Sequence, residues 1–273
     1  MITAEVRDNS IDIVNRQPGS SKLGRALCLL LAFRPGDTEL TLAELARRTN
    51  LPKPTAHRLL GELAAWDLVE RTDGGHKLGV RLFELGTRVP LQYGLRETAA
   101  PFLSEVFELT GSSVNLAVLD GPDVVYVDKL RSRHGPAVAS RLGERMPSHC
   151  TGVGKALLAH ATPATLELML RRRLQRRTRH TIIAPGLIVR DLRRARERGY
   201  AIDHEESTMG IACVAAPLLD TDGRAVAAVS VTSWAHRLNL KRIVPAVHSA
   251  ARDIARALAV ERSREDARLT MGD

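Results

Sequence analysis

The chain alternates apolar and polar positions in two rhythms, and the first third keeps helical spacing. Lys22 to Phe33 is apolar on nearly every side (Leu23, Ala26, Leu27, Leu29, Leu30, Leu31), which predicts a buried helix ended by Arg34-Pro35-Gly36-Asp37. Thr41 with Glu44 forms a capping box, in which each side chain satisfies an orphan backbone donor at a helix start. Leu42, Leu45 and Ala46 then line one face, and Asn50 breaks the helix. Another helix follows from Pro52, whose missing N–H costs nothing in a first turn; Leu59, Leu60 and Leu63 lie on one side of it. Val69-Glu70-Arg71, Asp73-Gly74-Gly75 and His76-Lys77-Leu78 read as a β-hairpin with a glycine turn. Helix, short turn, helix and basic ribbon make a shape that fits a DNA groove and its flanking phosphates.

Val80 to Tyr93 predicts a further helix, with Gly94 as a joint, and from Leu95 the rhythm changes. A helix to about Leu109 leads into strands at Val114 to Leu119, Val124 to Leu130, Ala137 to Leu142, Ala212 to Leu219 and Ala225 to Thr232. Asp220-Thr221-Asp222-Gly223 joins the last two as a hairpin. Helices fit Gly152 to His160, Pro163 to about Arg173, Leu187 to Arg198 and Lys241 to about Glu261. Hairpins mixed with helices predict an α+β domain around an antiparallel sheet, because the short links leave no room for repeated βαβ crossovers. The expected organisation is a loosely ordered tail over 1–20, a winged helix-turn-helix domain over 21–80, a linker helix over 81–94, a second domain over 95–262 and a tail over 263–273.

Length and composition fit this division. The 273 residues suffice for two cores, and with aromatics at 3% those cores are built from Leu, Val, Ile and Ala. A net charge of +9 suits a polyanionic partner. Cys28, Cys150 and Cys213 are odd in number and lack paired spacing, which predicts a reducing, cytoplasmic setting. No apolar run approaches the roughly 18 residues of a membrane span, and the first twenty residues lack the apolar stretch of a signal peptide.

The expected DNA-contacting set is Lys53, Pro54, Thr55, His57 and Arg58 on the second helix, with Arg71, His76 and Lys77 on the ribbon. Thr151 to Ala156 is no phosphate loop: the spacing is absent, and Ala156 after Lys155 offers no hydroxyl to magnesium. Its glycines suit either a tight structural turn or a backbone approached by a small ligand at a helix start, where unpaired N–H groups attract an anion. His149, Cys150, His204 and Cys213 lack metal-ligand spacing, and a lone cysteine is more often a buried small hydrophobe. Glu205-Glu206, adjacent on a strand, point apart and suit a salt-bridged edge better than an acid/base pair. No catalytic residue, metal or cofactor is expected. The basic run Arg171, Arg172, Arg173, Arg176, Arg177 and Arg179 reads as a solvated helix face in preference to a DNA contact.

Ala43 to Ala46 followed by Leu51 to Leu60 resembles the winged-helix segment of IclR-type bacterial transcription regulators. His149 to Leu157 and Gly199 to Glu206 resemble that family's signature stretches, and Gly210 to Pro217 and Ala227 to Thr232 extend the match. Asp67 departs from the usual glycine before the wing, and the run Arg171 to Arg179 matches no family motif. The resemblance implies a GAF-like effector domain whose pocket includes Val138, Met146, Gly152, Val153, Asp203, Ile211, Cys213, Ser230 and Thr232. It also implies a small-molecule metabolite effector, a double-stranded operator and a homodimer or dimer of dimers, with Leu23, Leu27 and Leu31 or the linking helix at the dimer contact. A metabolic enzyme with a fused helical domain and an effector-independent DNA-binding scaffold are the alternatives.

Overall fold

The computed structural model describes residues 21–136 and 141–270. The chain separates into two compact units at Pro90 and Leu91. In the first, α1 (Lys22–Leu31), α2 (Leu42–Thr49) and α3 (Lys53–Ala64) precede a two-stranded ribbon, β1 (Val69–Arg71) and β2 (His76–Leu78), and then α4 (Arg81–Thr87). Leu29, Leu45, Ala56, Leu59, Leu60 and Val69 form the centre of its core. Thr41 caps α2 by accepting the Glu44 N–H at 3.2 Å. The expected capping box is only half formed, because Glu44 gives its carboxylate oxygens to Arg47 and Arg48 instead of the Thr41 N–H. Asn50 ends α2 in the left-handed region, φ 53°.

Two expectations for this unit change. The first helix is not buried all round: Leu29 is enclosed, but Leu23, Leu27 and Leu31 are exposed, on the side of α1 away from its packing against α2 and α3. Gly94 is not a joint. α4 ends at Thr87, and α5 (Pro90–Thr110) runs straight through Gly94. The break falls at Arg88-Val89 because Pro90 is suited to open a helix, lacking an N–H that would go unpaired there. Asp67 adopts φ 56°, a left-handed conformation that glycine reaches without cost and aspartate tolerates better than most residues.

Among the described residues the second unit is built on a six-stranded, wholly antiparallel sheet in the order β5-β4-β3-β8-β7-β6. Its strands are β3 (Ser113–Asp120), β4 (Asp123–Leu130), β5 (Arg145–Pro147), β6 (Ala201–His204), β7 (Ile211–Leu219) and β8 (Ala225–Trp234). The expected strand over Ala137 to Leu142 falls partly on residues 137–140, outside those described; Arg141 and Leu142 are not in a strand, and β5 begins at Arg145. Strand alternation divides the sheet's two faces. Val114, Leu116, Val214, Ala216, Val229 and Val231 pack against α5 and the terminal helix α9 (Leu240–Thr270), which continues past the expected tail boundary at 263. Ala117, Ala215 and Ala228 point the other way, toward α6 (Gly152–Leu158). These small side chains let α6 lie close; Gly152 is needed for the same reason, and Gly154 for the close approach of the turn that precedes the helix. A Cβ on Gly154 would sit 2.2 Å from the Ser148 carbonyl oxygen, and one on Gly152 3.0 Å from the Cys213 Cβ.

α7 (Pro163–Leu170) and α8 (Pro185–Arg198) complete this layer. The helix expected to reach Arg173 stops at Leu170, so the arginine run is not a continuation of that helix face. Instead the segment is tied down by hydroxyls: Thr181 Oγ1 accepts from the Arg177 and Thr178 N–H groups and donates to the Glu206 carbonyl at 2.7 Å.

Candidate functional site

Two sites emerge, one in each unit. In the first, α3 turns Ala56, Leu59, Leu60 and Leu63 into the core, which leaves Lys53, Pro54, His57 and Arg58 exposed and Thr55 half-buried. Arg71 and Lys77 are exposed on the ribbon, where Lys77 pairs with Glu70 across the strands at 2.8 Å. Arg58 pairs with Glu62 one turn along at 2.9 Å. His76 is less available than the sequence suggests: its backbone exchanges hydrogen bonds with Leu40, and the side chain is half-buried. Burial, then the nearby charges of Arg71 and His57, lowers its pKa. Arg71 and His57 are therefore close enough to act on His76, where helix meets ribbon.

The second site is a cavity between α6 and the sheet, with about 410 Å³ of empty space including its mouth. Of the nine residues expected in an effector pocket, Met146, Gly152, Val153, Asp203, Ile211, Cys213, Ser230 and Thr232 line this one space. Val138 lies outside the described residues. Strand register brings them together: Cys213 pairs with Thr232 and with Asp203 on the neighbouring strands, while Ser230 and Thr232 alternate onto the α6 side. Tyr126, Thr151, Ser207 and Thr208 also line the cavity and were not singled out from the sequence. The alternation of Val124 and Tyr126 would have put that tyrosine on the α6 face; nothing local pointed to Ser207 or Thr208.

The polar groups of the cavity are largely engaged with one another. Asp203 Oδ1 accepts from the Glu206 N–H at 2.8 Å and the Ser207 N–H at 3.3 Å, and Oδ2 accepts from the Ser207 hydroxyl at 2.6 Å. Burial still lifts its pKa to about 6, against the pull of those bonds. Asn115 donates to both Ser230 and Thr232 at 3.1 Å. The expectation of open N–H groups at the start of α6 is only partly met, because Thr151 Oγ1 accepts the Gly154 N–H at 3.2 Å. Among the described residues no lysine or arginine lines the cavity.

Glu205 and Glu206 lie in the turn after β6, not on it, so the strand argument for their pointing apart does not apply. Glu206 is buried and paired with Lys155, whose ammonium also meets Asp191 of α8 at 2.9 Å. Burial works to lower the Lys155 pKa, but the two carboxylates outweigh it and the pKa rises. Glu205 adopts φ 60° and accepts the Gly210 N–H at 2.7 Å. Burial pushes the Cys150 and Cys213 thiols to about 12, so both stay protonated near neutrality and neither is an activated nucleophile. His149 Nε2 is 3.1 Å from the Gln175 carbonyl oxygen. Among the described residues no group of three or more His, Cys, Asp or Glu could hold a metal ion, and no helix is long and apolar enough to cross a membrane.

Comparison with known proteins gives matches over both units. Residues 89–259 match the family described as bacterial transcriptional regulator IclR C-terminal, and residues 22–73 match the IclR helix-turn-helix domain. The chain is 38% identical over 250 residues to the HTH-type transcriptional regulator BhcR of Paracoccus denitrificans, covering 88% of each protein. It is 31% identical to the HTH-type transcriptional repressor AllR of Escherichia coli, covering 90% of this chain and 93% of that one. A crystal structure of an IclR homolog from Microbacterium hydrocarbonoxydans complexed with 4-hydroxybenzoate superposes with a TM-score of 0.82 at 29% identity, covering 88% of this chain and all of the other. The Thermotoga maritima IclR structure gives a TM-score of 0.72 at 30% identity, over 86% of this chain and 98% of that one.

Proposed function

The chain belongs to the IclR family of bacterial transcriptional regulators, and on that premise we propose which of its residues read DNA and which respond to a metabolite. The observation that carries the DNA reading is the division of α3: an apolar face given wholly to the core, and an opposite face of Lys53, Pro54, His57 and Arg58 left to solvent. Thr55 stands beside that face, and the ribbon adds Arg71 and Lys77, with His76 shaping the junction. Such a helix enters the major groove while the ribbon meets the flanking backbone. In the free protein Arg58 is held by Glu62, so binding DNA requires it to change partners.

The cavity residues Met146, Gly152, Val153, Asp203, Ile211, Cys213, Ser230 and Thr232 hold the effector in this reading, with Tyr126, Thr151, Ser207 and Thr208 beside them. The Microbacterium relative, whose structure contains 4-hydroxybenzoate, supports a small-molecule occupant. The lining favours a ligand bonded through hydroxyls: it offers several hydroxyl groups and one carboxylate, and no cationic side chain. The chain acts in this reading as a cytoplasmic, non-enzymatic homodimer or dimer of dimers on a partly palindromic operator. Leu23, Leu27 and Leu31, one exposed apolar stripe at successive helical turns, support α1 as the contact between copies.

The test begins with operator DNA selected from a random-sequence pool. Lys53→Ala and Arg58→Ala each weaken binding by about 1–3 kcal/mol if they contact bases, with unchanged thermal unfolding. Glu62→Gln, by freeing Arg58, tightens it. Binding unaffected by all three assigns recognition elsewhere. A thermal-shift screen of metabolites tests the cavity: a hit must alter operator affinity and must be lost in Ser230→Val. No hit at all favours the effector-independent scaffold.

A further inference from the structure

The stretch from Arg171 to Arg198 holds eleven arginines against two carboxylates, Asp191 and Glu197, and no lysine. Its excess equals the +9 of the whole chain, so the remaining residues are balanced and all of the net charge resides here. The elements that carry these arginines are packed together. α7, the segment after it and α8 gather around Leu158, Met169, Ile188 and Leu192, with Leu170, Leu174 and Ile182 against them. α8 turns Ile188, Leu192 and Ala195 inward, which leaves Arg190, Arg193, Arg194 and Arg196 exposed beside Arg171, Arg172, Arg173, Arg176 and Arg179.

Little of this charge is neutralised within the protein. Arg171 pairs with Glu167 and Arg172 with Asp123, while Arg173, Arg190, Arg193, Arg194 and Arg196 make no ion pair among the described residues. Asp191 faces the interior, where Lys155 holds it. Arg176 and Arg177 spend donors on the Thr181 and Ser207 carbonyls, which fixes the segment without cancelling its charge. Arg190 with Arg193 and with Arg194 stand at helical spacings where like charges repel, so the face is unfavourable for folding alone.

We propose that this arginine face is a second, sequence-independent DNA surface that takes the phosphate backbone of duplex adjoining, or looped back to, the operator. The proposal rests on the reading of α3 as a DNA-binding helix. That helix holds the chain on DNA, so phosphates are present at high effective concentration, and even weak contacts count. The scale fits: the fourteen residues of α8 span about 21 Å at 1.5 Å per residue, a length over which a duplex carries about a dozen phosphates. Guanidinium groups grip phosphate oxygens in pairs.

The experiment uses the full chain and a 40-base-pair duplex of random sequence, with binding followed against potassium chloride concentration. Four proteins are compared: wild type, R190Q/R193Q/R194Q, R190K/R193K/R194K and K53A/R58A. The neutral variant is expected to lose about two to three units of log–log salt slope, at about 0.9 per phosphate released, and about tenfold or more in affinity at 0.1 M salt. The lysine variant keeps the slope, and all four unfold at similar temperatures. An unchanged slope in the neutral variant while K53A/R58A binds poorly overturns the arginine face and leaves α3 standing. Polyglutamate binding is followed in parallel; its loss in the neutral variant with DNA binding intact also overturns the proposal and gives the face to an acidic protein. If no variant alters DNA binding, the α3 reading and this one fall together.

Discussion

Asp203 gives the sharpest test of how the cavity is built, because two forces act on its carboxyl in opposite directions. It is 1% exposed, and burial, the dominant force, lifts its pKa from an ordinary 3.8 to about 6. The Ser207 hydroxyl, the Glu206 N–H and the Lys155 ammonium work to lower it and only partly succeed. Below about pH 4 the group is protonated in both folded and unfolded chains and contributes no pH-dependent term. Between 4 and 6 the folded chain keeps a proton that the unfolded chain has lost, so stability falls as pH rises. Above about 6 the penalty is complete; two units at about 1.4 kcal/mol each make it roughly 3 kcal/mol.

Asp203→Asn removes the titration while keeping an acceptor for the two backbone N–H groups. The quantity to measure is the stability difference between variant and wild type from pH 4 to pH 8. Urea unfolding can be followed by Trp234 fluorescence in a Trp66→Phe background, since Trp66 is 74% exposed and lies in the other unit. Whatever constant offset the altered Ser207 bond adds, the difference must swing in favour of asparagine by about 3 kcal/mol as pH rises. A flat difference, or wild type gaining on the variant above pH 5, would refute the reasoning. It would mean that the hydrogen bonds outweigh burial and that Asp203 is an ordinary, well-held anion.

Other perturbations reach different parts of the molecule. Lys155→Met strands Glu206 and Asp191 without their cation, which should cost about 3–5 kcal/mol; a melting temperature at or above that of wild type would remove the cluster from the stability account. Gly61→Ala, in a helix interior with open space around its α-carbon, should stabilise the first unit by about 0.5–1 kcal/mol, read by chemical denaturation. Asp67→Gly should stabilise that unit by about 1 kcal/mol, by relieving a left-handed non-glycine residue, less what the exposed ion pair of Asp67 with Arg81 at 3.5 Å supplies; destabilisation would show that the pair matters more than the strain.

The sequence made legible whatever is fixed over a few residues. β1 and β2 lie where the hairpin pattern put them, and α2 begins at its cap and ends at Asn50, because turn chemistry and apolar spacing are local properties. The errors share the opposite cause. Gly94 looked like a joint because glycine is a poor helix former, but its neighbours in α5 pack Leu95, Ala99 and Leu103 against the sheet and carry the helix through it. The arginine run looked helical because nothing nearby stops it. Past Leu170 the segment is held instead by the loop after β6, whose carbonyls bond Thr178, Thr181 and Arg177 from some thirty residues away. The cavity residues came together in the sequence through family resemblance, not spacing, and the buried pairing of Lys155 with Glu206, 51 residues apart, had no sequence signal.

Those long-range contacts also bear on how a ligand can act. The turn from Glu205 to Thr208 supplies Ser207 and Thr208 to the cavity wall, and it is fastened from outside by Lys155, Thr178, Thr181 and Arg177. A ligand that draws the Ser207 hydroxyl away from Asp203 therefore raises the cost of the buried carboxylate, and one that bonds Asp203 directly lowers it. Either ligand changes the stability of the same turn, in opposite directions. A regulator shifts its two states only by the difference in a ligand's affinity for them, and coupling free energies between sites are typically 1–3 kcal/mol. The penalty on Asp203, at roughly 3 kcal/mol, is of that size.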